Sequence, residues 1–261
     1  MDPEILGYYE QGDERERLGT GSFRIEFERT KELLERFLPP APARVLDVGG
    51  GPGAYAAWLA ERGYEVHLVD PVPSHVEQAS EAGTFVATLG DARELDAADA
   101  SVDAVLLLGP LYHLVDRDDR VRTLAEARRV ARPGGVVLAA AISRFASILD
   151  GLRAGMLRDP RFRPIVEEDL RSGQHRNRTD EETFFTTAYF HRPEDLAAEI
   201  GDAGLELHAV LGVEGPGWLL EERWDDPEAR AEILQVARVL EAESWILGTS
   251  SHLLAVARVP G

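Results

Sequence analysis

The chain has 261 residues, 47 acidic against 28 basic side chains, and a formal charge of −19. A charge of that sign repels polyanions, so a nucleic-acid partner is not expected. There is no cysteine, which excludes disulfides, thiolate catalysis and sulfur-ligated metals.

No stretch reaches the roughly 20 apolar residues of a membrane span. The opening "MDPEILGYYEQGDERE" lacks the pattern of a signal peptide. The expectation is a soluble cytoplasmic protein of one or two domains. Lys31 is the only lysine, and the surplus of arginine reads as coding bias.

In chain order, "RVLDVG", "YEVHLVD", "TFVATLG", "VDAVLLLG" and "GVVLAAAI" are unbroken apolar runs, the mark of parallel strands covered on both faces. Helical patterns separate them. Pro52 suits a first turn, Tyr55, Trp58 and Leu59 share one face, and Gly63 closes that helix. Val121, Leu124 and Ala125 repeat the pattern before "RPGG" breaks it. Such alternation predicts an α/β, doubly wound sheet.

The rhythm changes over 144–190, with "RFASILDGLRAGMLRDPRFRP", "SGQHRNRT" and "TFFTTAYF", which reads as an inserted helical cap. Alternation then resumes. "RPEDLAAEIGDAG" is a helix closed by Gly204, "LELHAVLG" a strand, "DPEARAEILQVARVLEAE" a helix capped by Asp226, and "SHLLAVARV" the last strand.

"VLDVGGGPG" follows the first strand pattern. In doubly wound sheets ligands lie beyond the carboxyl ends of the strands. A glycine-rich turn there lets a ligand touch backbone, and the next helix start offers N–H groups to an anion. "GGGPGA" also satisfies the G-x-G-x-x-A form of a dinucleotide site, so a pyrophosphate and the methionine end of S-adenosylmethionine (SAM) both fit. Asp70, at the second strand end, suits ribose hydroxyls of either cofactor. Asp91 in "GDAREL", at the third, suits an exocyclic adenine amine. Asp47 suits a cationic amino group, which a dinucleotide lacks.

Those motifs, with "HLVDP", "LLLGPLYHL", "RVARPGG" and "FFTTAYFHRPEDLAAEIGDAGLE", resemble the class I SAM-dependent methyltransferases over nearly the whole chain. "GPLYHL" and "AYFHRPEDL" resemble a bacterial small-molecule group within them. The resemblance implies a Rossmann-like seven-stranded sheet of order 3-2-1-4-5-7-6, the last strand antiparallel. It implies SAM contacts at Gly49, Gly51, Asp70, Asp91, Ala92 and the Leu108–Gly109 backbone, with Gly53 and Pro71 counted beside them. It also implies that the N-terminal segment folds over the cofactor; the expected division is 1–40 as that helical segment, 41–143 and 191–261 as the core, and 144–190, by its change of rhythm, as the inserted cap or lid for the acceptor.

A sulfonium methyl is already electrophilic, so the protein has to align a nucleophile and exclude water. For an acceptor that must lose a proton, "GPLYHL" offers Tyr112 and His113, and an imidazole suits that task. Capping the next helix or hydrogen-bonding to backbone suits His113 equally. Tyr9 or Tyr8 is expected to join His113 in orienting the acceptor, with plain packing as the other reading.

Strand polarity brings Glu214, Trp218 and His252 toward the same edge as substrate-pocket candidates. Arg29 could reach the cofactor carboxylate or lie on a solvated face. His75 reads as a surface-helix residue. No histidine spacing suggests a metal. Eight arginines against five acids between Arg144 and Arg178, with Phe145, Phe162, Phe184, Phe185, Tyr189 and Phe190 nearby, suggest an aromatic, carboxylate-bearing acceptor, unless coding bias explains them. An NAD(P)-dependent oxidoreductase and a non-catalytic SAM- or nucleoside-binding module remain alternatives.

Overall fold

The computed structural model describes residues 3–11, 20–21 and 23–261. Residues 1–2, 12–19 and 22 of the expected N-terminal cover lie outside the described residues.

Strands β1 (Arg44–Val48), β2 (Glu65–Asp70), β3 (Val86–Leu89), β4 (Val102–Leu107) and β5 (Ala131–Ser143) form the parallel half of one sheet. Within it β2 joins β3 to β1, and β4 joins β1 to β5. On the far side of β5, β9 (His252–Arg258) runs antiparallel, and β8 (Glu206–Gly212) runs antiparallel to β9. These seven strands lie in the order β3-β2-β1-β4-β5-β9-β8, the expected 3-2-1-4-5-7-6 path with its antiparallel last strand.

Two short strands were not legible as such. β6 (Gln174–His175) pairs with β7 (Ala188–His191), and β7 pairs in parallel with Ile142 and Ser143 at the tip of β5. The segment after β5 is therefore tied back to the sheet, and β7 runs across the expected boundary at 190.

The unbroken apolar runs follow from burial on both faces. Leu46, Val105 and Val137 face one layer, where Leu124 and Ala127 of α6 (Arg117–Val130) and Leu196 and Ile200 of α9 (Pro193–Asp202) close over them. Their neighbours Val45, Ala104 and Leu138 face the other layer. There α2 (Phe23–Phe37) contributes Leu33 and Leu34, and α3 (Ala54–Ala60) contributes Tyr55 and Leu59. Each Leu-sized side chain so buried contributes roughly 1.5–3 kcal/mol.

Side chains alternate along a strand, so Asp47 shares the face of Val45 and is fully buried. In α6 the buried stripe is Leu124, Ala127 and Val130, with Arg120 and Thr123; Ala125 is exposed. The expected Val121–Leu124–Ala125 face is rotated because Arg120 is drawn inward to Glu199, with Nη2 2.7 Å from Oε1.

Between β5 and β7 the chain forms α7 (Ala146–Arg153) and α8 (Arg163–Ser172). They close a small core of Phe162, Ile165, Val166 and Phe184. At the other end, α1 (Pro3–Gln11) is anchored by Ile5, which is buried, and by Thr187 Oγ1 donating to Glu4 Oε2 at 2.9 Å.

Candidate active site

A cavity of about 480 Å³ opens at the carboxyl ends of β1, β2, β3 and β4. Its floor is the glycine turn after β1. Gly49 has φ +69°, and a Cβ there would stand 2.9 Å from the Pro110 ring. A Cβ on Gly50 would meet Asp47 Oδ2 at 2.6 Å. Side chains are therefore excluded from the turn, and its backbone together with Gly51 and Gly53 lines the cavity.

Asp47, Asp70 and Asp91 all line it, as their places at successive strand ends predict. Their states differ. Asp47 is 0 % exposed, and neither carboxylate oxygen has a hydrogen-bond partner among the described residues. Burial, reinforced by the Asp70 charge, pushes its carboxyl up to about 7.

Asp70 accepts from Gly51 N–H on Oδ2 at 2.9 Å and from Val72 N–H on Oδ1 at 2.9 Å. Asp91 is gripped by Arg93, Nη2 to Oδ2 at 2.6 Å and Nε to Oδ1 at 2.9 Å, which holds its carboxyl down at about 2. Arg93 also reaches Asp119 at 2.7 Å, and both line the cavity; neither was anticipated. Pro71, Ala92, Leu108 and Gly109 take their expected places in the wall.

The opposite wall is α5 (Pro110–His113) with the edge of α1. His113 Nε2 and the Tyr9 hydroxyl share a hydrogen bond of 2.5 Å, and both side chains line the cavity. His113 is thus not spent on capping α6, whose N-cap is Asp116. Tyr112 lies edge-on to His113, ring centroids 4.7 Å apart, and also lines the cavity. The turn after His113 is fixed from behind: Arg120 Nη1 donates to the Leu114 and Val115 carbonyls at 2.8 and 3.0 Å.

Tyr8 packs edge-on against Tyr9 and Phe185 and is not among the lining residues, which corrects its expected catalytic place.

The remaining candidates sit elsewhere. Arg29 is buried, donating to the Val213 carbonyl at 3.1 Å and pairing with Glu241 at 2.7 Å and with Glu32. It neither faces solvent nor lines the cavity, because it ties α2 to the end of β8. Trp218 is buried beside Ile25, Trp224 and Ile233, its Nε1 donating to the Thr249 carbonyl at 2.9 Å; it is core rather than pocket.

Glu214 and His252 do meet, Oε1 to Nδ1 at 2.5 Å, with Glu214 Oε2 accepting from Ser250 Oγ at 2.7 Å. Burial raises the Glu214 carboxyl, but His252 and Ser250 more than offset it and hold it below the usual range. Neither residue lines the cavity; their neighbour Glu26 does, with its Oε2 3.8 Å from His252 Nδ1. Glu26, Glu214 and His252 each offer a ligand atom within 4.8 Å of the others, a grouping that no sequence spacing signalled.

His75 departs most from expectation. It is buried, lines the cavity, and contacts Asp70. Its helix, α4 (Pro73–Glu81), begins directly behind the strand end that carries Asp70, so an imidazole in its first turn swings toward that carboxylate.

The arginines after β5 are largely engaged locally. Arg144 donates to the Phe190 carbonyl, Arg153 pairs with Asp150, Arg161 with Asp159, and Arg171 with Glu168. Of the whole segment 144–190 only Thr187 lines the cavity among the described residues.

Residues 46–139 match the family model of a methyltransferase domain. An uncharacterised methyltransferase of Mycobacterium tuberculosis is 43% identical over 40% of this chain, and the chain spans 42% of that relative's length. An O-methyltransferase of Aspergillus nomiae is 29% identical over 49% of this chain and 58% of its own length. A solved SAM-dependent methyltransferase of Mesorhizobium loti superposes with a TM-score of 0.62 at 15% identity, covering 90% of this chain and 99% of its own. Residues 46–139 are thus similar to a methyltransferase domain, and the strand order is the fold that solved SAM-dependent methyltransferases share, so SAM is the cofactor against which the site is tested.

The residues present fit that cofactor. The cavity holds a buried carboxylate with no partner among the described residues, a glycine turn with no room for side chains, and two further carboxylates along one rim. Such a donor set suits a ligand with a cationic amine, a sugar diol and an adenine.

Proposed function

We propose that the protein moves the sulfonium methyl group of SAM to an oxygen, a nitrogen or an electron-rich carbon of a small-molecule acceptor in specialised metabolism. The observation that carries this reading is the bare, buried Asp47 carboxylate in the same cavity as the His113–Tyr9 pair. A buried charge without a partner is retained where a ligand completes it.

When bound, the cofactor supplies a methyl group that is electrophilic without further activation. Asp47 would hold its ammonium, the glycine turn its amino-acid end, Asp70 its sugar and Asp91 its adenine. The acceptor side is the wall formed by Tyr9, Tyr112 and His113.

There the protein does two things. Aromatic faces hold a flat or ring-bearing acceptor in line and exclude water. His113, steadied by the Tyr9 hydroxyl, takes the proton that a hydroxyl or neutral amine gives up as it attacks, or that a ring carbon gives up after it is methylated. The acidic rim disfavours an acceptor carboxylate, because Arg93, the arginine among the described lining residues, is already shared by Asp91 and Asp119. The name of the Aspergillus relative supports an oxygen acceptor, and the net charge of −19 supports a small molecule over a nucleic acid.

The test is calorimetry with S-adenosylhomocysteine (SAH) and with NAD, followed by mass spectrometry of phenol, amine and indole acceptors incubated with SAM. SAH binding and a methyl mass increase on at least one acceptor are expected. SAH binding with no product across the panel points to a non-catalytic binding module, and NAD binding in place of SAH points to an oxidoreductase.

A further inference from the structure

His75 carries a chemical feature that the proposed reaction does not use. Its imidazole is 5 % exposed and lines the cavity. Nδ1 lies 3.2 Å from Asp70 Oδ1. A carboxylate only accepts, so the shared proton is on Nδ1, and in the neutral ring Nε2 is then a bare acceptor. Nε2 is buried and has no hydrogen-bond partner among the described residues. Buried polar atoms of native proteins are nearly always paired, and an exception calls for a reason.

Asp70 explains what is missing. A carboxylate has about four acceptor positions. On Oδ2 one is filled by Gly51 N–H; on Oδ1 both are filled, by Val72 N–H and by His75. A sugar with two adjacent hydroxyls therefore finds one acceptor left on Asp70. His75 lines the same cavity and is already in contact with Asp70, and its Nε2 offers an acceptor for the second hydroxyl. The Tyr9 ring lies edge-on to His75 at 5.5 Å and to His113 at 5.2 Å, so α1 covers this corner and the catalytic pair together.

We infer that Asp70 and His75 form a split acceptor pair for the vicinal diol of the cofactor's ribose, one hydroxyl donating to Asp70 Oδ2 and the other to His75 Nε2. The inference rests on reading the cavity as a SAM site, and it makes His75 a cofactor-binding residue with a defined partner atom.

Calorimetry on the full chain separates this from a residue that merely braces Asp70. His75→Phe is expected to bind SAH about tenfold more weakly than the wild type. The 2′-deoxy or 3′-deoxy analogue of SAH that lacks the hydroxyl taken by Nε2 should bind the wild type about tenfold more weakly and lose nothing further in His75→Phe. His75→Gln, whose amide both donates and accepts, should recover most of the SAH affinity. Unchanged SAH binding by His75→Phe overturns the inference, and so does an equal loss for SAH and both analogues.

Should His75→Phe fail to fold, nitrogen NMR of histidine-labelled wild type serves instead. SAH should move the His75 Nε2 resonance while one deoxy analogue does not; identical shifts with both analogues overturn the inference. A wild type that binds no SAH at all overturns the reading of the cavity, and this inference with it.

Discussion

The rim at the ends of β1–β4 and the segment between β5 and β7 are both rich in charged side chains, and they treat them in opposite ways. Among the described residues of the segment, the buried charged groups Arg144, Asp169 and His175 are all paired. His175 gives Nδ1 to Asp169 at 2.9 Å and Nε2 to the Phe184 carbonyl at 2.8 Å, and Arg144 reaches the Phe190 carbonyl at 2.7 Å and Asp195 at 3.0 Å. On the rim, among the described residues, Asp47 has two bare oxygens and His75 a bare nitrogen. Burying an unpaired carboxylate is costly, so one that persists in a cavity wall marks where a ligand belongs, whereas the groups left unpaired among the described residues of the segment, the Ser147 and Thr186 hydroxyls, are neutral and do not line that cavity. Composition alone left two readings of the segment open, a basic aromatic cap as the acceptor site and coding bias.

The sharpest way to break this contrast is His113→Phe. Loss of the proton acceptor should lower kcat by about 10²–10⁴ while SAH affinity measured by calorimetry stays within about twofold; full turnover would remove the α5 wall from the chemistry.

Next in size is Asp47→Asn, read as stability. The Asp47 carboxyl is raised to about 7 in the folded chain, so the native state holds its proton more tightly than the unfolded one. The side chain is then neutral at pH 5 and costs stability progressively as pH rises toward 7. Above that pH the cost is complete, up to about 4 kcal/mol. Urea unfolding of Asp47→Asn should match the wild type near pH 4 and exceed it at pH 8. A variant that is less stable at pH 8 would contradict a bare buried carboxylate.

Asp169→Ala leaves His175 unanswered inside the segment. It should cost about 1–3 kcal/mol in urea unfolding with SAH affinity unchanged in the folded protein. Smallest is Arg161→Ala, which removes an exposed pair and should leave urea unfolding and kcat unaltered; a large fall in turnover would restore the arginines to an acceptor role.

Much of the sheet was legible because strands buried on both faces must be apolar throughout, as "VLLL" and "VVLAAA" are. β6 and β7 escaped because two and four residues hold no periodicity to read. The three rim aspartates were legible for a topological reason: each closes a strand, and strand ends meet at one edge.

The residues missed are those whose place depends on tertiary contacts. Arg29 and Arg120 sit on helices where a charged side chain ordinarily faces water, yet each is buried against a carboxylate from a distant part of the chain, Glu241 and Glu199. His75 sits in a helix with no clear apolar stripe, and only the position of Asp70 turns it inward. Glu214 and His252 were rightly brought together by strand direction, but their own pairing and the Glu26 side chain separate them from the cavity.

The central claim is that the buried Asp47 carboxylate is completed by a cationic amine. Calorimetric titration of the wild type and Asp47→Asn with SAH between pH 5.5 and 8.5 tests it most directly. A cation favours the charged form, so wild-type affinity should rise as pH climbs toward 7, by up to about tenfold per unit, and level off above it, while Asp47→Asn binds more weakly and without that rise. Wild-type affinity that is flat across this range, or identical in the two proteins, would contradict the account.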